Sequence, residues 1–175
     1  MKSIRLPSNI LFYICYPISR LYGIAAVYVV GVILLSYINN GAWVPINVVN
    51  ERFIIYYPFT STAFVLGDYT PGYLVPVLAT MIFYTVFLLT LTGVFNALRQ
   101  KKLFVENGTI HLSRFYKVNV LLPLMLLLAA FIYSPEPADF VMITFLHEIL
   151  GLFAFFMAAI FNQGLELQAE QDLTI

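Results

Sequence analysis

His147 and Glu148 are the side chains in this sequence best placed to do chemistry. They lie in the run Phe140–Phe161, which otherwise holds no ionisable group. A charged carboxylate at the centre of a membrane helix costs about 2.5–3.5 kcal/mol, and the apolar runs supply no Lys or Arg at that depth. Counted from Asp139 at about 1.5 Å per residue, Glu148 sits about 13 Å inward. Its carboxyl is therefore expected to be neutral or to line an outward aqueous cleft. Adjacent helical residues diverge by about 100°, so His147 and Glu148 do not face each other. Thr144 is the expected local partner of Glu148, and Tyr28, Thr80 and Tyr84 fall at similar depth on other helices. The group reads either as a ligand- or proton-sensing site or as polar glue between helices.

Other chemistry is excluded by spacing. The residue four after His147 is Gly151, so the zinc-protease pattern H-E-x-x-H fails. His111 is the only other histidine and lies in a basic loop, so no metal site is expected. No G-x-S-x-G, G-x-G-x-x-G or P-loop occurs, and no Ser/His/Asp set assembles at one depth. Neither an enzymatic activity nor a cofactor is expected. Cys15 is the only cysteine, which rules out an intramolecular disulfide and a Cys-x-x-Cys redox pair. Net charge is zero, so direct binding to nucleic acid is not implied.

The elements that must position these residues follow from composition. Of 175 residues, 61% are hydrophobic and 10% charged. An ordinary soluble domain is about 45–50% apolar and about 25% charged. Part of the solvent must therefore be lipid. The sequence predicts an all-α membrane protein with four transmembrane helices arranged as two hairpins in a four-helix bundle. The spans fall at about 20–38, 74–98, 118–134 and 140–161. Ser19 is expected to cap the first, and Pro17 to separate it from the Ile10–Tyr16 run. The N-terminus reads as a retained anchor, since Arg20 interrupts its apolar run and no small-x-small cleavage site follows. Residues 39–73 are too polar and broken for a span. They predict an irregular or short-β outer loop at the membrane interface, with a hairpin or an interfacial helix both open. The pairs Gly23–Gly31 and Gly93–Ala97 are small-residue packing signals.

Orientation follows from the basic residues. Lys2, Arg5 and Arg20, the loop 99–117 and the tail 162–175 face one side and hold eight of the nine Lys and Arg residues; only Arg52 faces the other. Both termini are therefore expected in the cytoplasm. The loop would continue the second helix through Arg99, Lys101 and Lys102, return Phe104 to the interface, turn at Glu106-Asn107-Gly108 and start a helix capped by Thr109. Arg114 and Lys117 complete its charge. The tail keeps helical spacing and carries Glu166, Glu170 and Asp172, so an acidic helix is expected beside a basic loop, with exposed pairs of about 0.2–1 kcal/mol each.

The tail residues Phe161, Gly164, Leu167, Glu170, Asp172, Leu173, Thr174 and Ile175 resemble the signature of the YoaS-like bacterial family of small four-span membrane proteins of unknown function. The loop residues Leu98, Arg99, Lys101, Lys102, Phe104 and Asn107 resemble the same family. The resemblance implies a cytoplasmic (inner) membrane protein that partners a small helix-turn-helix regulator. The competing reading is a small transport, channel or immunity-type membrane protein in which Glu148 lines a path.

Overall fold

The computed structural model describes residues 2–38, 45–100 and 106–173. Four helices, α1 (Lys2–Ile38), α2 (Pro71–Leu98), α3 (Glu106–Tyr133) and α4 (Ala138–Leu173), are long and apolar enough to cross a membrane. Between α1 and α2 lies a three-stranded sheet, β1 (Ile46–Val49), β2 (Arg52–Tyr56) and β3 (Ala63–Asp68). The all-helical membrane fold and the short-β outer segment expected from sequence are both present.

The helices overrun the expected spans where they leave the apolar zone. α1 is continuous from Lys2 through Pro7 and Pro17, so the Ile10–Tyr16 run is part of the first helix and not a separate segment. Proline removes one intrahelical hydrogen bond and crowds the preceding turn, but here it does not end the helix. Nor does Ser19 cap a helix start. It is buried in the middle of α1 and its hydroxyl donates to the Tyr16 carbonyl at 2.8 Å.

A second correction concerns the start of α3. Glu106-Asn107-Gly108 forms the first helical turn and does not reverse the chain. Glu106 suits that position because carboxylates are favoured at the positive end of a helix dipole. Thr109 therefore lies inside the helix and caps nothing; its hydroxyl is buried without a hydrogen-bond partner. At the other end of the chain, α4 runs unbroken through the tail to Leu173.

The sheet is an antiparallel meander in the order β1-β2-β3. Val49 pairs with Arg52, leaving Asn50 and Glu51 as a two-residue turn with φ of 50° and 61°. Positive φ at both central positions is the geometry that matches strand twist in a tight hairpin. The β2–β3 ladder carries an irregularity at Ile55/Tyr56. One face of the sheet packs on α1 and α2. Phe53 and Ile55 meet Val29, Val32, Ile33 and Leu74 in a buried cluster at the sheet end of the molecule. A second cluster at the opposite end joins Val94, Leu112, Phe115, Ala154, Ala158 and Phe161.

Among the described residues, the closely packed helix pairs are α1–α2, α2–α3 and α3–α4. The helices thus stand in chain order, and α1 does not close the bundle by packing along α4. A glycine permits one close approach between α2 and α3. A Cβ on Gly93 would lie 2.6 Å from His111 Nδ1, so the His111 ring occupies the space that glycine leaves on α2. Gly23 faces Thr85 at ordinary contact distance, whereas a Cβ on Gly31 would meet nothing within 4 Å. Of the two expected small-residue pairs, Gly93–Ala97 has a tight helix contact at Gly93, whereas Gly23–Gly31 has none.

Candidate functional site: a polar node between helices two, three and four

The site is built on α4, where helical spacing sets Thr144, His147 and Gly151 along the side that meets α3. Gly151 is the reason the two helices come so close. A Cβ there would lie 2.8 Å from Val120 Cγ2 and 3.3 Å from Asn119 Cβ. With hydrogen in place of that Cβ, Asn119 reaches the His147 ring.

His147 Nδ1 lies 2.8 Å from Asn119 Oδ1, and both side chains are buried. Asn119 Nδ2 donates to the Phe115 carbonyl at 2.8 Å. That bond fixes the amide orientation and turns Oδ1 towards histidine as an acceptor. The Nδ1 of His147 must then carry the proton, an assignment made from the network. The rest of the imidazole is enclosed edge-on by three rings of α2. The centroids of Phe83, Phe87 and Tyr84 lie 4.7, 5.0 and 5.8 Å away. A buried polar group is costly unless bonded; here the amide and the ring satisfy each other inside an aromatic shell.

Thr144 adds a second tie between the same helices. Its hydroxyl lies 2.9 Å from the Phe140 carbonyl on its own helix and 3.2 Å from the Pro123 carbonyl on α3. It is therefore not the partner of Glu148 that helical spacing suggested. The hydroxyl satisfies backbone carbonyls, as Thr in an apolar helix commonly does.

Glu148 points elsewhere. It is half-buried, and its Oε1 is enclosed without a hydrogen-bond partner. It borders a groove of about 450 Å³ between α3 and α4, lined by Tyr116, Val120, Gly151, Leu152 and Phe155 among others. The rings of Tyr116 and Phe155 meet edge-on at 5.5 Å. Glu148 and His147 thus serve different faces of α4, as their adjacency implied.

Of the other intramembrane candidates, Tyr84 joins the His147 shell. Tyr28 does not: its hydroxyl donates to the Tyr56 carbonyl of β2 at 2.6 Å. Thr80 donates to the Pro76 carbonyl of its own helix. Sequence reasoning missed Asn119, Phe83 and Phe87. The available signal was Asn119 as a lone amide beside the leucine-rich run of α3, together with Gly151 one turn after His147. A small residue one turn from a buried polar one marks a close helix approach.

At the end away from the sheet, α2 stops at Leu98 with Arg99 as its cap, and does not continue through Arg99 as expected. Arg99 Nε donates to Asn96 Oδ1 at 2.9 Å, and its guanidinium stacks over the Phe12 ring of α1 at 3.8 Å. Asn107, Arg114, Glu166 and Glu170 are exposed, and Gly164 is half-buried on α4. Glu166 accepts a hydrogen bond from Asn162 at 3.1 Å. Arg99 thus contacts Asn96 of its own helix and Phe12 of α1, and Glu166 contacts Asn162 of its own helix. Lys101, Lys102 and Phe104 lie outside the described residues, as does the side chain of Asp172.

Among the described residues, no three His, Cys, Asp or Glu side chains gather into a set able to hold a metal. Comparisons with protein-family models, curated proteins and solved structures match nothing to this chain.

Proposed function

We propose that this chain is a multi-pass protein of the bacterial cytoplasmic membrane, with both termini in the cytoplasm, acting as the regulatory or sensory partner of a small cytoplasmic DNA-binding regulator. One observation carries the reading. The buried polar node His147–Asn119 is bonded within itself and walled by Phe83, Phe87 and Tyr84, which favours a fixed framework over a solute path. The exposed charges Arg114, Lys117 and Glu166 stand towards the inner helix ends, where a soluble protein could meet them. Arg99, Asn107, Gly164, Glu170 and the undescribed Lys101, Lys102, Phe104 and Asp172 side chains belong to the same proposed docking surface. The likeness of tail and loop to the YoaS-like family supports the same assignment.

The test is co-purification. The solubilised full-length protein should retain a DNA-binding regulator, and removal of residues 164–175 should release it. Retention of every partner after that deletion defeats the proposal.

A second reading is favoured by the enclosed, unpartnered Oε1 of Glu148 beside the α3–α4 groove. In a small transporter or channel, that oxygen would receive the passing group. Ion or solute flux in liposomes that is unchanged in Glu148→Gln counts against it.

A further inference from the structure

The sheet does not stand clear of the helices. Its position along them follows from two contacts on α1. At the outer end, Tyr69, just after β3, stacks on Tyr37 with ring centroids 5.3 Å apart and shares a hydrogen bond with Ser36. Lower down, the Tyr56 carbonyl at the end of β2 accepts a hydrogen bond from Tyr28. Tyr28 is ten residues before Ile38, the last residue of α1, which is about 15 Å along the helix axis. Helical side chains also lean towards the N-terminus, so the Tyr28 hydroxyl lies no higher than its own Cα. The strands therefore run down the flank of α1, and the β2–β3 turn, residues 57–62, lies at or below that level.

The apolar belt brackets this depth. Gly23 faces Thr85, and Phe115 meets Phe87 with ring centroids 5.6 Å apart. Arg20 and Arg114 therefore share a level near Leu88 of α2, and both are exposed. The outer limit is the start of α2, where Gly72 abuts the Tyr133 carbonyl at the end of α3. Leu88 to Gly72 is sixteen residues, or about 24 Å of helix. Within that interval α3 exposes Lys117 at its inner edge and, beyond it, Leu121, Leu124, Met125, Leu128, Phe131 and Ile132. Long basic side chains snorkel outwards from such a zone, so the interval suits a hydrocarbon layer of about 30 Å.

The chemistry of the sheet is graded in the same direction. Its upper end carries Asn50, Glu51 and the ion pair Arg52–Asp68, 3.5 Å apart. Its lower end carries Tyr57, Pro58 and Phe59 and the exposed but uncharged Thr60, Ser61 and Thr62. Phe59 is 106% exposed and touches nothing in the chain that would cover it. The turn meets part of its own backbone. Tyr57 N–H donates to the Thr62 carbonyl at 3.0 Å and Thr60 N–H to the Tyr57 carbonyl at 3.1 Å. The Thr60 hydroxyl donates to Tyr57 O at 3.2 Å and accepts from Thr62 N–H at 3.3 Å. Irregular backbone at membrane depth is favoured when its polar groups are met inside the protein, so these bonds lower the cost of lipid exposure.

We infer that the β2–β3 turn is a membrane-inserted tip, with Phe59 among the acyl chains of the leaflet on the sheet's side. The partner of this surface is lipid. The sheet is thus a wedge beside α1 and α2, its charged end in water and its aromatic end in hydrocarbon.

The inference rests on the membrane reading and is independent of any regulator. Its test uses full-length protein in phosphatidylcholine vesicles, with Trp43, the only tryptophan, replaced by Phe. Phe59→Trp in this background should lose most of its emission to lipids brominated along the acyl chain and little to aqueous iodide. Met125→Trp is the control for the lipid-facing belt. Iodide quenching at 59 with bromolipid quenching at 125 overturns the inserted tip and leaves the membrane reading intact. Shielding of 59 from both quenchers places protein over the tip and also overturns it. Failure of both positions to meet bromolipid overturns the inference together with the membrane reading. Phe59 makes no packing contact, so its replacement should leave folding unchanged.

Discussion

His147 Nδ1 and Asn119 Oδ1, 28 residues apart in sequence and on different helices, lie 2.8 Å from one another in the buried centre of the helix assembly. Removing one partner strands the other. Asn119→Ala or His147→Phe alone should destabilise the protein, while the double variant should recover part of the loss. Interhelical hydrogen bonds in membrane proteins carry coupling energies of about 0.6 kcal/mol on average and up to about 1.7 kcal/mol. A double-mutant cycle on reversible unfolding in detergent measures this. Strict additivity would show that the pair does not couple.

Gly151 and Gly31 give a matched contrast. A methyl on Gly151 meets Val120 Cγ2 at 2.8 Å, whereas one on Gly31 meets nothing. Gly151→Ala should cost about 1–3 kcal/mol through overpacking. Gly31→Ala should be neutral or stabilising, because Ala is the better helix former by about 0.8–1.0 kcal/mol. Thermal unfolding of the two variants under one condition ranks them. Equal midpoints would show that α3 and α4 can separate at no cost.

The hydroxyl of Tyr28 ties the lower end of the sheet to α1. Tyr28→Phe keeps the ring against Phe64 (centroids 6.1 Å apart) and deletes only the bond. A net loss of about 0.5–1.5 kcal/mol is expected, confined to the sheet. Hydrogen exchange should quicken in β2 and β3 and stay unchanged in α3 and α4. Faster exchange throughout would mean that the sheet and the helices unfold as one unit.

Thr109 presents the reverse case, a buried hydroxyl that bonds to nothing. Replacing an unsatisfied polar group by an apolar one of the same shape removes a desolvation penalty of about 1–3 kcal/mol. Thr109→Val should therefore raise the unfolding midpoint. Thr144→Val, which removes the hydroxyl shared by Phe140 and Pro123, should lower it. A fall in both midpoints would mean that the Thr109 hydroxyl has a partner after all.

What the sequence made legible was whatever lipid enforces. Apolar runs of spanning length admit little besides helices, so all four were evident, and β-rich runs such as RFIIYY pointed to the strands. Helix ends were harder. Pro17 and Gly108 are ordinary breakers, yet both sit inside helices, because breaker statistics describe water-exposed chains and not segments held by apolar surroundings. The polar node was half legible. His147 stands out because any ionisable group in an apolar run does. Asn119 does not, because a neutral amide near the end of a run looks like a boundary until the opposite helix is known. Arg99 turning to Phe12 was out of reach for the same reason: stacking depends on which helix stands beside which.

The two buried clusters described above share a single element. α2 supplies Leu74 to the outer one and Val94 to the inner one, twenty residues and about 30 Å apart. α1 and the sheet belong only to the first; α3 and α4 belong only to the second. In mechanical terms α2 is an axle, with a separate load fixed at each end. Among the described residues, α2 is the element these two clusters share, so a push or twist applied to the sheet would pass along it to the far ends of α3 and α4.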